Sequence, residues 1–325
     1  MTRTRPLALA AALLAGALAL TGCAPSTVTA DPATSAPGAT VSITDAQQRT
    51  VAVPANPAVV VVTDWSIIRT LNDLGIEVDA IPAPIGQLPA DLAAYASGKT
   101  TVGDVFEPDY EAIAALEPDL VLVGGRSGTK EVVAEFERFA PAVLDMSVRP
   151  ETASETLKVT RQRIEELASI FGSTEKAKSL MDAVEADIAA QRTAVQAAGH
   201  TAMIVQVSDG TVSAYGPGSR FGSVFTDFGY ATTSAPVSAE GEHGEEISQE
   251  FFVQYNPGVL FVLDRAKAIG QEASPALDIL NAGMITTTDA AKSARVVEID
   301  GFSWYLAPNA PSSWARMVDD VESIN

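Results

Sequence analysis

The chain is short of the residues that build covalent staples and most metal centres. One cysteine, Cys23, occurs in 325 residues, so no intrachain disulfide can form. Two histidines, His200 and His243, give too few ligands for a manganese or zinc site of the usual kind. There is no Gly-x-Ser-x-Gly elbow and no His-Glu-x-x-His, so the common hydrolase nucleophile and zinc-protease patterns are missing. The glycine-rich loop Gly216–Gly222 has Phe221 where a dinucleotide fingerprint needs its third glycine. It also lacks the Gly-Lys-Ser/Thr of a phosphate-binding P-loop. Basic residues are scarce: 21 Lys and Arg face 41 Asp and Glu, for a net charge of −20. Such a chain is repelled by nucleic acid and by anionic membrane surfaces. An anion would have to be held by a few cations placed locally against that background.

What is present is organised around one stretch that occurs twice. Asp109 to Arg126 reads as an amphipathic helix, a Pro-led turn, a buried strand and a glycine turn ending in a cation. Ser248 to Arg265 repeats that plan without a gap. Glu111 matches Glu250, Pro118 matches Pro257, Val123 matches Val262 and Arg126 matches Arg265, each pair 139 residues apart. Only these 4 of 18 positions are identical, so the pattern of acid, Pro, apolar strand and Arg carries the comparison. Two unrelated helix–strand units could also look this similar. In a parallel α/β sheet, ligands bind beyond the carboxyl ends of the strands, which is where Arg126 and Arg265 would fall.

The rest of the pattern predicts an α/β protein of two lobes with mostly parallel sheets, joined by one long helix. Val41–Val53 alternates around Asp45-Ala46-Gln47-Gln48 and predicts a hairpin. Val59–Thr63 is a buried strand, Asp64 a helix cap, and Gly75 the end of that helix. Strands and helices alternate to Asp145, so the N-terminal lobe spans 41–150. Glu151–Phe171 contains neither Pro nor Gly and predicts a connecting helix of about 20 residues, roughly 30 Å long. Ser173 would cap a second helix, Thr174–Ala198, which opens the C-terminal lobe, 174–325. The loop after Tyr215 is held tight by Gly216, Pro217 and Gly218 and presents Arg220. A structural turn with a solvated arginine would read the same way. Gly241–Glu246 is an acidic, flexible loop that carries His243. Gly301–Leu306 is a loop at the ligand-facing edge, and Trp314–Ile324 closes the chain as a helix. His200, at the start of a strand, is read as structural.

The N-terminus adds an address. Arg3 and Arg5 precede Leu7–Leu20, an apolar run of 14 residues, the length of a signal-peptide core and too short to span a bilayer comfortably. It ends in Leu20-Thr21-Gly22-Cys23, which resembles the lipobox of bacterial lipoproteins. That resemblance implies a signal peptide over 1–22, cleavage before Cys23 and diacylation of that cysteine. A plain secretory signal with an incidental Cys is the alternative. Residues 23–40 are then a lipidated Cys and a disordered Ala/Thr/Ser/Pro tether. Its 17 residues from Ala24 to Thr40 reach at most about 56–61 Å. The body would be anchored to the outer face of the cytoplasmic membrane without spanning it.

Lipobox, tether, two lobes and one strut helix together resemble the periplasmic-type binding proteins of ABC importers, in the iron–siderophore and cobalamin class. Four stretches are more specific: Val123–Ser127, Ser213–Gly222, Val262–Ala266 and Trp304-Tyr305-Leu306. They resemble the petrobactin and enterobactin type of lipoprotein, which takes ferric catecholate siderophores. The resemblance implies a ligand cleft between the lobes, lined by three arginines, Arg126, Arg220 and Arg265, with Trp304 near the ligand. It also implies His243 and Tyr305 as Fe(III) ligands where a tetradentate siderophore leaves positions open. Packing beside Trp304 is the plainer role for Tyr305. Glu111 and Glu250 are implied as docking acids for the permease, which works with its ATPase; acids favoured by a helix N-terminus would look the same. Further implications are a monomer, no intrinsic cofactor, no nucleic-acid partner and no catalysis. The chemistry agrees, because Arg keeps its charge and offers planar donors and a stacking face to catecholate rings. A receptor for a hydroxamate siderophore, haem or cobalamin is the nearest alternative, and a lipid-anchored hydrolase a remote one.

Overall fold

A computed structural model of the chain describes residues 39–238 and 244–324. The expected signal peptide, Cys23 and nearly all of the tether lie outside the described residues, as does His243. Thr40, assigned to the tether, already opens a strand. β1 (Thr40–Thr44) and β2 (Thr50–Pro54) form the expected antiparallel hairpin, with Val41 opposite Val53 and Ile43 opposite Val51. The buried Asp45 carboxylate organises its turn, accepting the N–H groups of Gln47 at 2.9 Å and Arg49 at 3.0 Å.

The N-terminal lobe follows from five short apolar strands: β3 (Val60–Val62), β4 (Ala80–Ile81), β5 (Thr100–Thr101), β6 (Leu120–Val123) and β7 (Val143–Asp145). All pair in parallel, in the order β5-β4-β3-β6-β7. Connections leave β3 and β6 in opposite directions, so a crevice opens beyond their carboxyl ends. Asp64 follows β3 there, and Gly124 follows β6. The helix Trp65–Leu74 begins where the Asp64 carboxylate accepts Ser66 N–H at 2.8 Å and Ile67 N–H at 3.3 Å. It ends at Gly75, whose φ of 71° lies in the left-handed region.

The C-terminal lobe contains β8 (Thr201–Ser208), β9 (Thr211–Tyr215), β10 (Ala231–Thr232), β11 (Glu245–Glu246), β12 (Val259–Asp264) and β13 (Val296–Glu298). β10, β12 and β13 run parallel to the central β8, directly or through β12; β9 runs antiparallel to β8, and β11 pairs antiparallel to β9 at the edge. The described end of the predicted acidic loop is therefore an edge strand, with Glu245 opposite Ala214 and Glu246 opposite Ser213.

Between the lobes the connecting helix is shorter than predicted. It spans Thr156–Ile170, 15 residues, after a 3₁₀ turn at Ala153–Glu155. Thr152 is extended, at φ −135° and ψ 153°, and its hydroxyl pairs with that of Ser154 at 3.0 Å, a local bond that competes with helix. Ser173 does not cap the next helix, Thr174–Ala198; its hydroxyl donates to the Phe171 carbonyl at 3.4 Å. Leu167 and Ile170 enter the N-terminal core, while Ile164 and Ala168 enter the C-terminal one, so the second half of the strut packs against both lobes. Arg161 ties it to the following helix through Asp182 and Glu185 at 2.7 and 2.8 Å, and pairs with Glu165 on its own helix at 2.8 Å.

The segment predicted as a loop at Gly301–Leu306 is a π-helical turn over Phe302–Leu306, with the Ala307 N–H donating to the Phe302 carbonyl at 2.8 Å. Apolar residues on both of its sides explain the difference. Phe302, Leu306 and Ala307 pack into the N-terminal core, and Trp304 packs into the C-terminal one. The closing helix starts earlier than predicted, at Pro311, and runs to Glu322. The lobes also meet backbone to backbone at Gly86 and Gly270. A Cβ on Gly86 would lie 2.5 Å from the Ala268 carbonyl oxygen, and its φ is +72°. No helix among the described residues is long and apolar enough to cross a membrane.

Candidate functional site

A cavity of about 830 Å³ lies between the lobes, walled by Asp64, Arg126 and Ser147 from one side and Arg220, Trp304 and Tyr305 from the other. Arg126 is placed by the turn after β6. Gly124 is required there, because a Cβ would lie 2.3 Å from the Asp64 carboxyl carbon. Asp64 itself is buried, and desolvation raises its pKa. The N–H groups of Ile67 and Ser66, with the charge and backbone of Arg126, oppose that rise.

Arg220 comes from the loop after β9. Ser219 shapes that loop, donating its hydroxyl to the Gly216 carbonyl at 2.7 Å. Gly222 is forced by the Pro217 carbonyl oxygen, 2.1 Å from where its Cβ would be. Arg265 opens the one-turn helix Arg265–Ala268 directly after β12, with Asp264 as its cap.

All three arginines converge on Tyr305. Arg126 donates to the Tyr305 carbonyl at 2.7 Å and Arg220 donates to the same oxygen at 3.4 Å. Their guanidinium carbons lie 5.2 Å and 4.4 Å from the centroid of the Tyr305 ring. Arg265 donates Nε–H to the Tyr305 hydroxyl at 3.2 Å and Nη1–H to Ser208 Oγ at 3.4 Å. Arg265 stands behind the phenol and is not part of the cavity wall. Among the described residues none of the three forms an ion pair with a carboxylate, in a chain with twice as many acids as bases.

The electrostatics follow from this crowding. Solvent reaches Arg220 along the cleft wall, yet protein surrounds it on most sides. Desolvation and then the charge of Arg126 lower its pKa, while Tyr305 and Tyr215 oppose them. Burial pushes the Tyr305 phenol up, but the Arg265 hydrogen bond and the charges of Arg265, Arg220 and Arg126 outweigh it and hold the phenol below its ordinary 10. The site thus favours negative charge on oxygen attached to an aromatic ring.

Other predicted residues are placed differently. Trp304 is buried, 2 % exposed, and its indole N–H donates to Asp320 at 2.9 Å. Its ring packs near Phe228 and Phe261, so it backs the cavity wall as part of the core. Glu111 and Glu250 are exposed in the first turns of the helices Tyr110–Ala115 and Gln249–Tyr255. No group of three His, Cys, Asp or Glu among the described residues could hold a metal ion. Sequence reading missed Asp64 as a wall residue and Ser208 as a partner of Arg265; Asp64 appeared only as a cap. Gly124 was the available signal, since a glycine pair after a strand marks a close backbone approach.

Two α/β lobes around a strut, with a cleft at the carboxyl edge of the first sheet, define a solute-binding protein. The chain belongs to the periplasmic binding protein family, whose model matches residues 60–301. It is 30 % identical over 271 residues to the petrobactin-binding protein YclQ of Bacillus subtilis, covering 83 % of each chain. It is 26 % identical over 253 residues to the ferric-anguibactin-binding protein FatB of Vibrio anguillarum, covering 75 % of this chain and 77 % of that one. Among solved structures, the periplasmic catecholate-siderophore binding protein VctP of Vibrio cholerae superposes with a TM-score of 0.79 at 28 % identity, covering 88 % of this chain and 100 % of that one.

Proposed function

We propose that the protein is an extracytoplasmic receptor of an ABC importer. It captures an anionic ferric siderophore with catecholate-type rings and hands it to a membrane permease. One observation carries this reading: three guanidinium groups, none ion-paired among the described residues, meet around a single aromatic ring beside the inter-lobe cavity. Like charges so placed repel one another, and a bound polyanion relieves that repulsion. The aromatic oxygen they already favour on Tyr305 has the chemistry of a catecholate oxygen. The names of YclQ and VctP support the same ligand class. Arg126 and Arg220 would take the chelate from two lobes. Arg265 would hold Tyr305 or reach the ligand once the phenol moves. Tyr305, and His243 from outside the described residues, would supply oxygen or nitrogen to open iron positions. Trp304 would report on the ligand from behind the wall. Lipidation at Cys23 would anchor the protein, a monomer, beside its permease and ATPase, with Glu111 and Glu250 facing the permease.

The test is a tryptophan-fluorescence titration with a ferric catecholate, a ferric hydroxamate and cobalamin. The reading predicts saturable quenching by the catecholate at concentrations where the other two have no effect. Quenching only by cobalamin or hydroxamate would replace it.

A further inference from the structure

Arg69 is a buried cation outside the ligand site. It lies in the middle of the helix Trp65–Leu74 and is 6 % exposed. Among the described residues it forms no ion pair. Its guanidinium instead reaches across the lobe interface, donating Nη1–H to Ser303 Oγ at 2.9 Å and Nε–H to Ser312 Oγ at 2.7 Å. The Phe302 ring lies 5.4 Å from its guanidinium carbon. Desolvation lowers its pKa; Asp73, Asp91 and Asp300 partly offset this from a distance. Taking an arginine out of water without a directly paired acid is unfavourable for folding, and an apolar side chain would fill the place at lower cost.

The contacts show what that cost secures. Ser303 is fully buried inside the π-helical turn, two residues before Tyr305, and Ser312 lies in the first turn of the closing helix. A π-helical turn is a rare geometry, needing outside support to hold its register. Asp300 supports it from the C-terminal lobe, accepting Ser303 N–H at 2.7 Å. Arg69 supports it from the N-terminal lobe, together with Asp73, which accepts Ser312 N–H at 2.9 Å. The Tyr305 carbonyl and hydroxyl on this turn are the points that the three site arginines address. We propose that Arg69 is a positioning residue for the ligand site: by holding Ser303 and Ser312 it fixes the register that aims Tyr305 at Arg126, Arg220 and Arg265, and ties that aim to the placement of the N-terminal lobe. The consequence for ligand rests on the receptor reading above; the positioning role does not.

Two arms separate the claims. In the ligand-free full chain, amide hydrogen exchange is followed at Trp304 and Ala307, whose N–H groups donate to the Asp300 and Phe302 carbonyls at 2.9 Å and 2.8 Å and report on the turn that carries Tyr305. Arg69→Met should speed exchange there at least about tenfold while the amides of β8 and β12 keep their wild-type rates. Ser303→Ala, which removes the receiving hydroxyl and leaves the N-terminal lobe intact, should act in the same direction and carries the test if Arg69→Met does not fold. Exchange at the turn that stays at the wild-type rate in the folded variants overturns the proposal. The second arm uses the iron(III) complex of a synthetic bis-catechol. Arg69→Met should weaken it at least tenfold in wild type and less than about twofold in a Tyr305→Ala background. Equal losses in both backgrounds would mean that Arg69 acts on the fold and not through Tyr305, and overturn the role. If wild type does not take up the complex at all, the receptor reading fails while the exchange arm still decides the role of Arg69.

Discussion

Arg220 gives the sharpest quantitative consequence of a cationic cluster that has no ion pair among the described residues. Its guanidinium carbon is 4.4 Å from the Tyr305 ring centroid, with Arg126 sharing the same carbonyl. A chelate oxygen about 5 Å from that carbon would gain about 3 kcal/mol per unit of negative charge at an effective dielectric of about 20. Desolvating both groups removes part of that gain. Arg220→Met should therefore weaken a ferric catecholate by more than tenfold, above about 1.4 kcal/mol. Arg220→Lys keeps the charge but loses the planar stacking face, so its loss should be intermediate. Stability should respond in the opposite sense. Burial and Arg126 both disfavour the Arg220 charge in the folded protein, so the Met variant should melt no lower than wild type without ligand. Fluorescence titration and thermal melts measure both. A Met variant that binds within twofold of wild type, or that melts well below it, would refute the idea that this arginine is held unpaired for an anion.

Three further expectations follow from other parts of the molecule. Burial raises the Asp227 carboxyl to about 6 against an unfolded value of about 3.9, so the folded state binds more protons between those values and stability falls as pH rises through that window. Asp227→Asn should then gain about 1–3 kcal/mol at pH 7.5 and little at pH 3.5, measured by urea unfolding. Gly124→Ala would push a methyl group into Asp64, and should cost about 1–3 kcal/mol through overpacking and a disturbed cap, with weaker ligand binding from a displaced Arg126. Reversing Glu111 and Glu250 to Lys should abolish cellular uptake while leaving ligand affinity unchanged; uptake at the wild-type rate would return both acids to ordinary helix N-terminal residues.

Much of the fold was legible because its determinants are local. Asp64 and Gly75 bracket one helix in the sequence as they do in the structure, and the β1–β2 register follows from the alternation of Val41, Ile43, Val51 and Val53. Arg126 and Arg265 were legible as a pair because both follow an apolar strand in a repeated unit. What was not legible depends on contacts across the chain. The π-helical turn forms because Phe302 and Trp304, two residues apart, serve different cores, and nothing in Phe-Ser-Trp-Tyr-Leu announces that. Trp304, expected near the ligand, does border the cavity, but nothing in the sequence shows that Asp320 takes its indole N–H into the core. Arg69 passed unnoticed because its partners, Ser303 and Ser312, lie 234 and 243 residues away. The connecting helix lost its first turns to Thr152 and Ser154, whose hydroxyls pair with each other.

The central claim is that guanidinium groups paired with no acid among the described residues select a charged aromatic chelate. Isothermal titration of one protein with a ferric bis-catecholate and a ferric tris-hydroxamate measures that selection as a ratio of dissociation constants. Wild type should favour the catecholate by at least about a hundredfold, near 2.7 kcal/mol, and the Arg126→Ala/Arg220→Ala/Arg265→Ala variant should lose most of that preference. Equal affinity for the two chelates in wild type, or an unchanged ratio in the triple variant, would contradict it.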